Sequence, residues 1–172
     1  MKQSLLFFAI FCFFVSCKNQ QNPYPSERIT FDNTHLSFVT PDNWYRTNIP
    51  GSDHLTVFTE IHYDIKPNIQ LDAFSETTKP DDSLAAFFNQ KKSMYPSYTV
   101  KKEAAFITDR GLTGRKIMAQ RENDKNISII HIHYVFSRTH EMYILTGTCA
   151  KPGIGAYEEI FDQAMKSVEI RN

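Results

Sequence analysis

The chain is short of cysteine, with Cys12, Cys17 and Cys149 the only three in 172 residues. Cys12 lies inside an apolar leader and Cys17 closes it, which strands Cys149 without an intramolecular disulfide partner. A disulfide-stapled scaffold is thereby excluded. An excess of one charge is missing as well: Lys plus Arg and Asp plus Glu both number 19, and no long run of either sign occurs. Neither the basic face of a nucleic-acid binder nor a polybasic membrane patch has support. The leading apolar run, Leu5–Val15, is eleven residues long, whereas a bilayer span takes about 20. There is no internal repeat, no G-x-S-x-G elbow and no H-E-x-x-H helix, so an enzyme is unsupported by motif. Asp109-Arg110-Gly111-Leu112-Thr113-Gly114-Arg115 lacks the strand–glycine–helix context and the lysine of a phosphate loop, and reads as a turn.

What is present suffices for one ordinary domain behind a short leader. The composition is 41% apolar and 13% aromatic, with 14 Phe and 8 Tyr, ample for a core. Lys2 gives the leader a positive start, and its short apolar stretch ends at a small residue, as a secretory signal peptide does. Phe14-Val15-Ser16-Cys17 resembles the bacterial lipobox, whose cysteine is acylated and becomes the new N-terminus. Ser16 fits the small position; Phe14 and Val15 depart from the usual pattern. The competing reading is an ordinary signal peptide or an uncleaved anchor. The stretch KNQQNPYPSE (18–27) is polar and holds two prolines, as a tether should. The expected division is a signal peptide over 1–16, lipidated Cys17 and tether over 17–27, and a single domain over 28–172. Each buried CH₂ contributes about 0.8 kcal/mol, so two or three acyl chains hold the protein to its membrane. The expected location is the bacterial cell envelope. Lys18, in place of an inner-membrane retention aspartate, leans towards the outer membrane.

Extended runs are expected over 27–41 (two, around Asp32-Asn33), 54–65, 68–76, 98–108, 112–122, 126–136 and 141–149. The period changes over 79–95, where Leu84, Phe87 and Phe88 trace a helix with Asp81, Asp82 and Ser83 as caps and Lys91-Lys92 near its end. A final helix is expected over 155–170, with Tyr157, Phe161, Ala164, Met165 and Val168 on one stripe. NISIIHIHYVF and MYILTGT are apolar at nearly every position, the mark of strands buried on both faces. The expected fold class is α+β: an α/β/α sandwich with a mainly antiparallel central sheet of about six or seven strands and two main helices.

Pro41-x-x-Trp44, Gly111-x-x-Gly114 and Phe161-x-x-x-Met165-x-Ser167-Val168, in this element order, resemble the Mog1/PsbP-like superfamily, including the bacterial DcrB-like envelope proteins. The likeness covers about residues 28–170. It implies an α/β/α fold and an accessory, assembly or binding role, and carries over no catalytic set.

Three groups are candidates for chemistry. His131 and His133, two apart on a strand, point to one face and could offer two ligands to a transition metal, with His62 or Glu60 as a third. The plainer reading has both hydrogen-bonded beneath a helix, or at an exposed edge. Trp44-Tyr45-Arg46 could form a binding rim, though a Trp plugging the end of the core is favoured. Cys149, ending a strand-like run, reads as a small buried hydrophobe. The expectation is a non-catalytic binding or assembly module of a lipoprotein, without a cofactor. Its partners are the membrane through the lipid on Cys17 and an envelope protein or small ligand, with no nucleic acid. The alternative is an envelope metalloprotein or hydrolase using His131 and His133.

Overall fold

The computed structural model describes residues 24–31, 34–48, 55–59, 62–75, 80–138 and 141–171. The leader, Cys17 and Glu60 lie outside the described residues.

Two long apolar strands organise the molecule. β8 (Ser128–Arg138) and β9 (Glu141–Ala150) pair antiparallel, as their hairpin-length link requires. β5 (Asn68–Ser75), β4 (Leu55–Phe58) and β3 (Tyr45–Asn48) extend the sheet beyond β9, and β7 (Thr113–Glu122) and β6 (Thr99–Ile107) extend it beyond β8. The result is a seven-stranded antiparallel sheet in the order β3-β4-β5-β9-β8-β7-β6.

Helices cover both faces, which is why β8 and β9 lack alternation. On one face Ile130, Ile132, Tyr134 and Phe136 of β8 share a core with Phe161, Ala164 and Met165 of α2 (Ile154–Lys166). On the other, Ile117, Val135, Met142 and Ile144 meet Leu84 and Phe87 of α1 (Pro80–Met94). The fold is an α/β/α sandwich. Lys116 ties α2 to the sheet, its ammonium donating to Glu158 at 2.7 Å and to Asp162 at 2.8 Å. Tyr134 donates to the same Asp162 at 2.6 Å.

The structure departs from the sequence expectations in four places. α1 starts at Pro80, so Asp81 and Asp82 lie within its first turn, where they meet the positive end of the helix dipole, and are not caps. The run expected over 54–65 is shorter: it ends at Phe58 of β4, and Tyr63 and Asp64 adopt left-handed φ in a turn closed by His62 and Ile65. Tyr45 and Arg46 begin a strand in a stretch where no extended run was expected. The last helix stops at Lys166, because Ser167 Oγ binds the carbonyl of Ala164 and accepts from the backbone N–H of Val39. The chain then leaves as β10 (Glu169–Ile170), which joins β1 (Arg28–Thr30) and β2 (Leu36–Val39) in a separate sheet of order β1-β2-β10.

Candidate functional site

Alternation on β5 builds the site. Asn68, Gln70 and Asp72 face one side while Ile69 and Leu71 fill the core on the other. Antiparallel register sets Asn68 opposite Thr148 and Gln70 opposite Thr146 on β9. Those threonines in turn stand opposite His131 and His133 on β8. Two polar rows therefore run across the middle of the sheet, on the face that α1 covers. α1 closes over one end with Phe87 and Phe88, whose rings meet His133 edge-on at 5.3 and 5.5 Å. Past its last turns the cover gives out, and a cavity of about 190 Å³ remains between Lys91, Tyr95, Tyr98, Arg121 and the polar rows.

The two imidazoles are held at every ring nitrogen. His133, 1% exposed, binds the Thr146 hydroxyl through Nδ1 at 2.8 Å and the Tyr98 hydroxyl through Nε2 at 2.6 Å. His131 accepts at Nε2 from Arg121 Nε–H at 3.0 Å. An accepting Nε2 leaves the proton on Nδ1, which then donates to the Thr148 hydroxyl at 3.0 Å. Burial, followed by the cations Arg121 and Lys91, pushes His131 down to about 3. Burial, then His131 and Lys91, holds His133 well below the ordinary histidine value. Burial also raises the Tyr98 phenol, with Arg121 acting weakly against it. All three groups are neutral at pH 7. Arg121 is fixed twice, through His131 and by stacking with its guanidinium 4.1 Å above the Tyr95 ring.

The sequence brought His131 and His133 together correctly, with rings 6.0 Å apart and nearly parallel, beneath a helix and hydrogen-bonded. A metal at this pair would have to displace Arg121 and Tyr98 from their nitrogens. His62 does not approach it. Its exposed ring lies beside Tyr63 and Tyr157, on the α2 side of the sheet. Among the described residues no three His, Cys, Asp or Glu side chains gather so as to hold a metal. The proposed rim divides. Trp44 is buried edge-on to Phe161 and Tyr157, Tyr45 carries the Lys66 ammonium 4.9 Å above its ring, and Arg46 is exposed. A broader cleft of about 510 Å³ adjoins Trp44, and three of the side chains along it are tied into the fold. Asp42 accepts from the Ser26 N–H, Thr40 from the Glu27 N–H, and Ser167 from the Val39 N–H. Cys149 is fully buried and free, its thiol pushed up to about 12 by burial and then by Glu158. Gly111, at φ +78°, makes the β6–β7 turn in the segment that superficially suggested a phosphate loop.

No protein-family model and no curated protein matches the sequence. Solved structures do match. The cyanobacterial PsbP (CyanoP) of Synechocystis sp. PCC 6803 superposes with a TM-score of 0.66 at 11% identity, over 91% of this chain and 99% of that one. The fold is PsbP-like. LpqN of Mycobacterium tuberculosis, involved in cell envelope biogenesis, shares the PsbP-like fold at a TM-score of 0.59 and 10% identity, over 88% of this chain and 93% of its own. PA94 of Pseudomonas aeruginosa, a protein of unknown function, does so at 0.58 and 12%, over 86% and 98%. Identities this low carry the PsbP-like fold and not an activity.

Asn68, Gln70, Tyr98, Arg121, Thr146 and Thr148 were not singled out from the sequence. A signal was present: polar residues at every second position of 68–72, and two threonines inside an otherwise apolar strand. Which strands lie side by side is a property of the topology, and that is what turns these polar positions into a site.

Proposed function

We propose that this chain is a cell-envelope lipoprotein whose PsbP-like domain is a non-catalytic module that binds a small ligand in the polar cavity over β5, β9, β8 and β7. One observation carries the reading: polar side chains from four adjacent strands and the α1–β6 connection converge on a cavity whose orienting groups are already locked by hydrogen bonds. The neutral imidazoles, hydrogen-bonded at both nitrogens, hold Tyr98, Arg121, Thr146 and Thr148 in place around the cavity. Cys17 supplies the lipid, residues 18–27 the spacer, and the outer membrane is the destination. No helix among the described residues is long and apolar enough to cross a membrane.

Two measurements test this. Labelled palmitate should be incorporated into the wild-type chain and not into Cys17→Ala; an unlabelled wild type rules out the anchor. The low-molecular-weight fraction of a cell extract should raise the melting temperature of the soluble domain and return chemically unchanged. Conversion of a component by the wild type, abolished in His133→Gln, would make the module an enzyme.

A further inference from the structure

Resting on that reading, we propose that the cavity selects a small organic anion, a carboxylate or a phosphate, gripped between Arg121 and Lys91. Arg121 uses Nε on His131 and its flat face on Tyr95, and both anchors leave the Nη edge of its fork unspent. That edge presents two parallel donors, the geometry that carboxylate and phosphate oxygens accept. Lys91 enters from the last turn of α1, its ammonium 4.9 Å over the Phe87 ring. Among the described residues neither cation has a carboxylate partner.

The charge of the lining favours an anion. Its acidic and basic side chains other than the neutral histidines are Lys91, Arg121 and the buried Asp72. Two cations stand against one carboxylate. At the histidine pair the charges of Arg121 and Lys91 both act on His131. A half-enclosed, polar-walled space strengthens such an attraction relative to bulk water.

Size narrows the class. A volume of about 190 Å³ lies below the roughly 300–1,000 Å³ of sites that enclose drug-sized ligands, which suits a ligand of a few carbons. Gln70, Asn68 and the two threonine hydroxyls along the floor suit hydroxyl groups on the body of such a ligand. A hydroxy acid or the phosphate ester of a short polyol fits both ends of the cavity.

The probes are L-malate, glycerol 3-phosphate, inorganic phosphate and, as the neutral control, glycerol. Each is titrated into the folded soluble domain at low salt while the backbone amides of Tyr98, Arg121, His131 and Thr148 are followed by NMR. Saturable shifts confined to these amides are expected from malate or glycerol 3-phosphate, weakened at least tenfold by Lys91→Gln and by added salt, with none from glycerol. Whether malate or the phosphates bind more tightly identifies the headgroup. Lys91→Gln alters a half-buried side chain at a helix end and should leave the spectrum folded; Arg121→Lys, which keeps charge and loses the fork, should also weaken binding. Glycerol binding as well as malate, or indifference to Lys91→Gln, overturns the anion class and leaves the ligand-binding reading intact. Silence from all four probes up to about 10 mM, with an extract that still stabilises the domain, does the same. If the extract is also without effect, both fall.

Discussion

Cys149 separates chemistry from packing in a single side chain. Fully buried, and with its thiol raised to about 12, it exposes neither surface nor thiolate to a reagent. Native protein should resist an alkylating reagent at pH 7.5 and react fully in denaturant; fast labelling of the native form would place it in an open site. His133 makes a second prediction, on pH. Its folded pKa lies below the unfolded value of about 6.5, so the unfolded chain binds the proton first as the solution is acidified. The stability of the neutral, hydrogen-bonded ring is fully present above about pH 6.5 and drains away below it, approaching about 1.4 kcal/mol per pH unit. Urea midpoints measured between pH 7 and 5 should fall in the wild type and fall less steeply in His133→Gln. Equal slopes would mean that the ring is not held neutral. The sequence disclosed that His131 and His133 share a face and that Cys149 is left without an intramolecular disulfide partner. It could not disclose Tyr98, 35 positions from His133 and delivered only by the path of the chain out of α1.

At the scale of elements, α2 and β9 approach so closely that position 147 has no space for a side chain. A Cβ on Gly147 would stand 2.6 Å from the Phe161 ring, which is itself fully buried. Phe161→Ala should cost about 3–5 kcal/mol. Gly147→Ala should cost about 1–3 kcal/mol through overpacking, and part of that should return when Phe161→Leu is added. Strictly additive losses in denaturant melts would show that the two positions do not meet. The stripe on α2 was legible because Phe161, Ala164, Met165 and Val168 follow the helical period. Where the helix ends was not, since Val168 continues that stripe after the backbone has turned away. The stop is set by Ser167 hydrogen-bonding to β2, a strand from the other end of the chain.

The same gap between local pattern and distant pairing governs the whole molecule. Two helices, hairpin-linked strands and a doubly buried centre are local signals, and they define an α/β/α sandwich. That β1, β2 and β10 form a sheet of their own depends on pairing Ser37 with Glu169, for which short-range periodicity offers no sign. A chain ending at Ser167 should keep slow hydrogen exchange in β7, β8 and β9 and lose it at Leu36–Val39; equal protection in both forms would show that β10 contributes nothing to the small sheet.

That pairing also has a consequence in time. A ribosome adds about 5–20 residues per second, so on the order of ten seconds separates the synthesis of β2 from that of the strand that completes its sheet. Throughout that interval the N-terminal hairpin has one edge open, and β5 waits a little more than half as long for β9. Early closure of the domain is blocked by its own strand order. A nascent chain in this condition carries unpaired strand edges, which invite mispairing until the last strands arrive.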